Sequence, residues 1–328
     1  MRVLDRPSLE LFLLQCMAPA QPALLRGAID NWPALRERSW RDLGYLRRIA
    51  GHRVVPVELG ANYLSSEWTE QLMPLSQFLD EHILPDLRTQ PDLQHVLQPN
   101  DPLPEHIPPD LQLTATPRNQ VPPTLTPSPT RKRARLDSVE ITGGSPGGSP
   151  GLPPSLAARR PRGYLAQHAL LEQVPALARD IIVPDYCTLS TEPDSDSAED
   201  QSEPHRETAG RDFKAARVNV WLGPGGTVSP LHYDPEHNLL AQVAGAKYVR
   251  LYAPEEGPRL YAHASGLHKI SSQIQDVFKV DHVRFPLFAE ARYIDCWLRA
   301  GETLYIPPKW WHYVESLQPS CSVSFWWS

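Results

Sequence analysis

The stretch "NVWLGPGGTVSPLHYDPEHNLLAQVAGAKYVRLYAP" covers residues 219–254, and most of it reads as strand. At its start Val218, Val220 and Leu222 fall on one face and Asn219 and Trp221 on the other, the alternation of a half-buried strand. "NLLAQVAGAKYVRLYAP" reads as two strands around an Ala-Gly-Ala turn, which signals a hairpin. "YIDCWLRAGETLYIPP" (293–308) repeats the pattern around Ala300-Gly301, and "SCSVSFWWS" ends the chain. Upstream, "PALLRGA" (22–28) and "RVVPVELG" (53–60) are further short strand candidates. Short strands with a turn about every 8–12 residues predict a mainly β sandwich or barrel. Helical patterns at Ser39–Ala50, Ser76–Leu84 and Leu165–Arg179 are expected to pack outside it as peripheral helices. Near the start, Leu9, Phe12, Leu13 and Cys16 sit at helical spacing. The run Leu11–Ala18 reads as an amphipathic helix capped by Ser8, with a cleaved signal peptide as the alternative.

The chain has 328 residues, 41% of them hydrophobic, which suits one or two domains with a real core. A net charge of −6 argues against direct nucleic-acid binding, because a phosphate-tracking surface is usually basic. No apolar run reaches the length of a membrane span. The four cysteines form no Cys-x-x-Cys, which fits a reducing compartment and excludes an ordinary zinc finger.

Residues 85–162 hold 17 of the 36 prolines and the run "GGSPGGSPGLPP". Such a segment cannot bury enough apolar surface to offset its ordering entropy, so it is expected to be a disordered Pro/Gly/Ser-rich insertion. It divides the chain into an N-terminal part, 1–84, and a β core, 163–328. The core carries an acidic, solvated loop at about 190–211. Within the insertion "RKRAR" (131–135) reads either as a nuclear-import signal or as a solvated charge cluster.

His232 and Asp234 are two apart, so on a strand they share a face while Tyr233 points away. With 12 histidines in the chain a bare His-x-Asp is weak on its own. His312, in "PPKWWHYV", sits near the start of another strand and is a candidate third ligand. Two histidines and a carboxylate on one face leave coordination positions open, as in non-haem Fe(II) oxygenases. A closed structural zinc site would usually bring cysteine. Lys247 lies in the same strands, where burial is costly unless it meets an anion; a solvent-facing lysine at the turn is the alternative.

Three separated blocks, residues 219–254, "LRAGETLYIPPKWWHYV" (298–314) and "SVSFWWS" (322–328), resemble the jumonji-C (JmjC) family in order and spacing. "GYLAQHALLEQVPALARDI" (163–181) and "VPDYC" (183–187) extend the likeness to nearly all of 2–84 and 163–328. The resemblance implies a double-stranded β-helix, a jelly-roll, cupin-like barrel. It implies Fe(II) at His232, Asp234 and His312, with 2-oxoglutarate and O2 as co-substrates. Lys247 would meet the distal carboxylate of the keto acid, helped by Tyr164 and Ser229, with Asn238 supporting the same pocket. The implied reaction couples decarboxylation of 2-oxoglutarate to succinate with hydroxylation of a substrate C–H bond.

The implied partner is a protein or peptide, an arginyl side chain or a histone tail, in the nucleus and secondarily the cytoplasm. Relatives are described as arginine hydroxylases, as histone methyl-lysine demethylases and as histone-tail endopeptidases. Hydroxylation of arginine is the first expectation: the chain lacks the Cys/His clusters of histone-reading modules, and a guanidinium stacks on aromatics and forks onto carboxylates. Candidate substrate contacts are Glu58, Tyr63, Trp221 and Trp326, each of which packing alone would also explain. A catalytically inactive cupin-like binding module, a small-molecule cupin enzyme and a metal-assisted peptidase are the rivals. Family members carry a helical region ahead of the barrel, so the start "MRVLDRPSLE" reads as a truncated or alternative product.

Overall fold

This computed structural model describes residues 1–89, 162–191, 216–265 and 268–328. Most of the predicted insertion, including Arg131–Arg135, and all but the first residues of the acidic loop lie outside the described residues. Residues 85–89, assigned to the insertion from composition, instead finish a helix, Leu84–Thr89.

Thirteen strands follow in order: β1 (Arg2–Asp5), β2 (Ala23–Arg26), β3 (Val54–Leu59), β4 (Thr69–Pro74), β5 (Gly163–His168), β6 (Arg217–Gly223), β7 (Val228–Tyr233), β8 (His237–Ala244), β9 (Ala246–Tyr252), β10 (Ile294–Arg299), β11 (Glu302–Ile306), β12 (Trp311–Ser316) and β13 (Ser320–Trp327). They form a nine-stranded sheet, β1-β2-β11-β8-β13-β6-β5-β3-β4, and a four-stranded sheet, β10-β9-β12-β7. Among the described residues only β1 and β2 pair in parallel. This is the jelly-roll, cupin-like arrangement that the sequence predicts.

The two expected hairpins are corrected. β8 and β9 adjoin at Gly245 but belong to different sheets, and so do β10 and β11 at Gly301. At each glycine the chain turns with positive φ, +72° and +90°, and crosses between sheets. A jelly roll needs such crossings, and a short turn between two strand-like runs looks the same in sequence whether the strands pair or part. The helix expected over Leu165–Arg179 is also corrected. Its first residues form β5, where Leu165 pairs with Leu222 of β6 and Tyr164 with Glu58 of β3. Two single-turn helices follow, Leu170–Gln173 and Pro175–Ala178. Pro175 cannot donate into a continuing helix, so the run breaks there.

The other helices hold. Ser8 caps Leu9–Phe12 by accepting from the Leu11 amide at 3.1 Å. The helix predicted from Ser39 begins at Leu43, because the Asp42 carboxylate caps Gly44 at 2.8 Å. No helix among the described residues is long and apolar enough to cross a membrane.

Burial follows the period of two. Leu239, Ala241 and Val243 of β8, with Val323, Phe325 and Trp327 of β13, face outward into a core with the helices, where Phe12, Trp32 and Phe78 lie. Asn238, Leu240 and Gln242 fall on the opposite face. Between the sheets Leu240, Val249, Leu298, Leu304 and Ile306 form a second core. A third covers the outer face of the small sheet, where Tyr252, Trp311 and Tyr313 meet Leu260, Ile274 and Phe285. The fully buried Asp180 carboxylate ties two segments together, accepting from Arg38, Trp40 and Tyr45 at 2.7–3.0 Å.

The two crossing glycines predict unequal costs. A Cβ on Gly245 would stand 2.3 Å from the Pro319 carbonyl oxygen, whereas one on Gly301 meets nothing within 4 Å. Gly301→Ala should cost about 1 kcal/mol of backbone strain. Gly245→Ala adds a backbone clash and should cost about 3 kcal/mol or more. Urea unfolding of both variants, compared with wild type, checks the difference.

Candidate metal centre and co-substrate pocket

Antiparallel pairing of β7 and β12 sets His232 directly opposite His312. Their rings are 4.2 Å apart between centroids. Asp234 follows β7, and its Oδ2 lies 3.7 Å from His312 Nε2. One ligand atom from each of the three residues lies within 4.8 Å of the other two. His232 Nδ1 is 2.7 Å from the Pro230 carbonyl, and His312 Nδ1 is 3.0 Å from that of Trp310. A carbonyl only accepts, so each Nδ1 carries a proton and each Nε2 keeps its lone pair for a metal. Burial, reinforced by His232 alongside, pushes the His312 pKa down and favours the neutral, ligating form.

Asp234 Oδ2 is buried without a hydrogen-bond partner. An unmatched carboxylate oxygen is costly in a protein interior, and a divalent cation removes that cost. Two imidazoles and one carboxylate, with no thiolate, suit Fe(II) better than structural zinc. The residues therefore fit the ferrous ion implied by the sequence resemblance.

Several contacts fix this corner. Lys309 adopts φ +66°, and its amide donates to the Asp234 carbonyl at 2.7 Å. On the free edge of β7, Tyr233 N–H donates to Ile270 at 3.0 Å and Ser272 N–H to Leu231 at 2.7 Å. Tyr233 points away from the ligands, as expected, with its ring 4.8 Å from that of Trp311.

Beside the triad opens a pocket of about 370 Å³ whose lining includes Tyr164, Trp221, Ser229, Asn238, Lys247 and Trp326. Lys247 is 2% exposed, and its Nζ donates to Tyr164 Oη at 3.3 Å. Among the described residues no carboxylate pairs with it. Burial pushes its pKa down to about 8, so an incoming anion would restore a full charge. Lys247 stands opposite Ser316 on β12, four residues or about 13 Å of strand from His312. A buried ammonium in the same pocket as the metal corner is suited to an anionic co-substrate such as a dicarboxylate.

The four substrate candidates divide. Trp221 and Trp326 line the Lys247 pocket. Their rings meet edge to face at 6.2 Å, and Trp221 Nε1 donates to Ser324 at 2.8 Å. Glu58 lines an adjoining pocket of about 230 Å³ with Asn62, Trp68 and Tyr164. Burial raises its pKa, and Glu70 adds to the rise. Tyr63 lines neither pocket: its hydroxyl is 3.1 Å from Ser271 Oγ and its ring stacks on His268 at 6.1 Å. The sequence reading missed Leu240, Ile306, Val314 and Ser324 as pocket residues. Period two, counted from Asn238, His312 and Trp326, marks Leu240, Val314 and Ser324. Nothing local marked Ser271, whose segment reaches β7 only through tertiary folding.

The chain belongs to the cupin-like domain family, whose model matches residues 153–328, and within it to the JmjC type. It is 37% identical over 324 residues to Jumonji C domain-containing protein 5 of Drosophila melanogaster, covering 99% of this chain and 59% of that one. It is 35% identical over 322 residues to lysine-specific demethylase 8 of Xenopus tropicalis, covering 98% and 51%. A human bifunctional peptidase and (3S)-lysyl hydroxylase matches at 31% over 33% of this chain and 40% of its own. The chain thus spans little more than half the length of the first two relatives.

Lys309→Pro should lower Mn(II) or Fe(II) affinity by about 10–100-fold. It removes the N–H bonded to Asp234 and cannot adopt the observed φ. Lys309→Gly keeps the N–H, relieves the φ and should retain metal affinity. Titration calorimetry of the two variants checks both.

Proposed function

We propose that this chain is an Fe(II)- and 2-oxoglutarate-dependent oxygenase that hydroxylates a protein side chain, arginine first. The observation that carries the reading is a buried lysine without a carboxylate, in one pocket with a two-histidine, one-carboxylate corner. Iron, when bound, supplies dioxygen activation coupled to decarboxylation of the keto acid. The protein's share is positioning. His232, Asp234 and His312 hold the metal. Lys247 and Tyr164 grip the distal carboxylate with charge-assisted bonds, with Ser229 beside them. Leu240, Ile306 and Val314 give the pocket an apolar lining.

Glu58 supports arginine as the substrate. Among the described residues it forms no ion pair, and its pocket shares Tyr164 with the co-substrate pocket. A guanidinium would give this carboxylate a cationic partner, forking onto both oxygens. Demethylation of a methylated lysine is the second reading. It is supported by the relative named a lysine-specific demethylase and by the aromatic wall of Trp221 and Trp326. The intact donor set and Lys247 weigh against an inactive binding module. The expected nuclear location rests on Arg131–Arg135 and on the family resemblance.

Anaerobic mixing with Fe(II) and 2-oxoglutarate should give the weak visible charge-transfer absorption of a keto acid chelated to ferrous iron. His232→Ala and Lys247→Ala should each abolish it at moderate keto-acid concentration. Folded, iron-loaded protein without the band would refute the oxygenase reading. Separately, Glu58→Ala should lower kcat/KM on an arginyl peptide about 10–100-fold. An unchanged value would remove arginine as the favoured substrate.

A further inference from the structure

The two strands beside the Glu58 pocket leave one face uncovered. The register sets Glu58 opposite Glu70, Pro56 opposite Leu72 and Val54 opposite Pro74. Residues directly opposite share a face, so these six lie together in three rows. The intervening Val55, Val57 and Met73 point the other way, into the core with the helices. On the uncovered face Leu72 is 68% exposed and Val54 55%, with Pro56 half-buried between them. β4 is also the last strand of its sheet, so no strand covers its outer edge.

The acidic row adjoins the site already described. Tyr164 pairs with Glu58 across the other side of β3 and lines both the metal pocket and the Glu58 pocket. Trp68, which lines the second of these, immediately precedes β4. Successive rows are about 7 Å apart, so the apolar rows lie about 7 and 14 Å beyond the acidic one. An extended peptide with its target side chain in the pocket covers that distance in about four residues.

Like charges directly opposite in a sheet are unfavourable. Burial raises the Glu58 pKa, and Glu70 raises it further. Among the described residues neither carboxylate forms an ion pair. A guanidinium at Glu58 matches one of them, and Glu70 calls for a second cation. A chain of net charge −6 gives a second copy of itself no general attraction to such a row. We propose that this face of β3 and β4 seats the segment of the protein substrate that flanks its target residue, with a basic side chain at Glu70 and, two residues further along, an apolar one on Leu72 and Val54. The inference rests on the reading that the substrate is a protein. It adds a preference for sequence around the target, set by residues that touch neither the metal nor the co-substrate.

The test uses the whole chain loaded with Mn(II) and 2-oxoglutarate, which permits binding without turnover. The probes are acetyl-Ala-Arg-Ala-Lys-Ala-Leu-amide and the reverse order, acetyl-Leu-Ala-Lys-Ala-Arg-Ala-amide, since a flank can leave the pocket in either direction. Each is also made with Lys, Leu or both replaced by Ala, and with trimethyl-lysine in place of the arginine. Titration calorimetry gives each Kd. In one of the two orders, wild type should bind the peptide carrying Lys and Leu at least about fivefold tighter than its all-alanine-flank form. Glu70→Gln should abolish the gain from Lys and keep the gain from Leu, and Leu72→Ser should do the reverse, the coupling expected of direct contacts. Both side chains are exposed, so both variants should fold and should bind the all-alanine-flank peptide within about threefold of wild type.

Equal binding with and without Lys and Leu, in both orders, overturns the docking face. So does a gain that survives both substitutions, which would seat the flank elsewhere. Either result leaves the protein-substrate reading standing, because the all-alanine-flank peptide still binds. If no peptide of either kind binds, that reading has failed and the docking face fails with it. Sedimentation of the free protein supplies the remaining outcome: a dimer that Leu72→Ser dissociates would put a second copy on this face and overturn the proposal.

Discussion

The pairing of β7 with β12 is the constraint on which the rest of the site depends. It sets His232 opposite His312 and brings Asp234 to the same corner. A slip of one residue would turn His312 to the outer face and bring Trp311 or Tyr313 inward. Both aromatics prevent this, because each is buried in the core outside the small sheet. A register irregularity between His312 and Val314 lets β12 pair with β7 at the metal end and with Ser229 further along. β7 is also an edge strand, and an open edge beside a metal would invite water or another chain. The bonds to the Ile270 carbonyl and from the Ser272 amide cover it.

A second constraint is electrostatic. The pocket contains a buried ammonium and a carboxylate oxygen without a partner, and each opposes folding unless matched. Shifting the Lys247 pKa relieves part of this cost but not all. The fold accommodates both because apolar layers flank the pocket on two sides, with Val249 and Leu298 between the sheets and Phe325 and Trp32 behind the large sheet. Metal and dianion together would neutralise what the apo pocket leaves unmatched, so binding should add to stability by mass action.

What the sequence revealed follows from range. The alternation in β6 and the spacing of His232 and Asp234 are local, and both survive in the structure. The partner of that pair, His312, was reached through its place near the start of another predicted strand and through family resemblance, since nothing local says which strand lies beside β7. The sheet crossings at Gly245 and Gly301 were misread because their glycines satisfy a hairpin and a crossing equally well. What separates the two is the burial of β8 on both faces, visible only as an unusually apolar run. The segment Leu165–Arg179 failed for a related reason. Leu165, Leu170, Leu171 and Leu177 fit a helical stripe, yet the edges of β3 and β6 recruit its first residues into the sheet.

The crossings also explain how the interior is divided. Because β8 runs from the metal end towards Lys247 before crossing at Gly245, its inward residues Asn238, Leu240 and Gln242 change character along its length. Asn238 carries an unmatched acceptor beside the ligands. Leu240 is apolar at the middle. Gln242 is satisfied within the protein, donating to Ala244 at 2.7 Å and accepting from Ser322 at 2.6 Å. Only the metal end of this strand has hydrogen-bonding capacity left for a visitor. The Lys247 end, by contrast, offers charge set among Tyr164 and Trp221, a place for one anion and little else. One strand that begins near the metal-corner residues and ends at the crossing glycine thereby separates an end with spare hydrogen-bonding capacity from an end beside a buried ammonium.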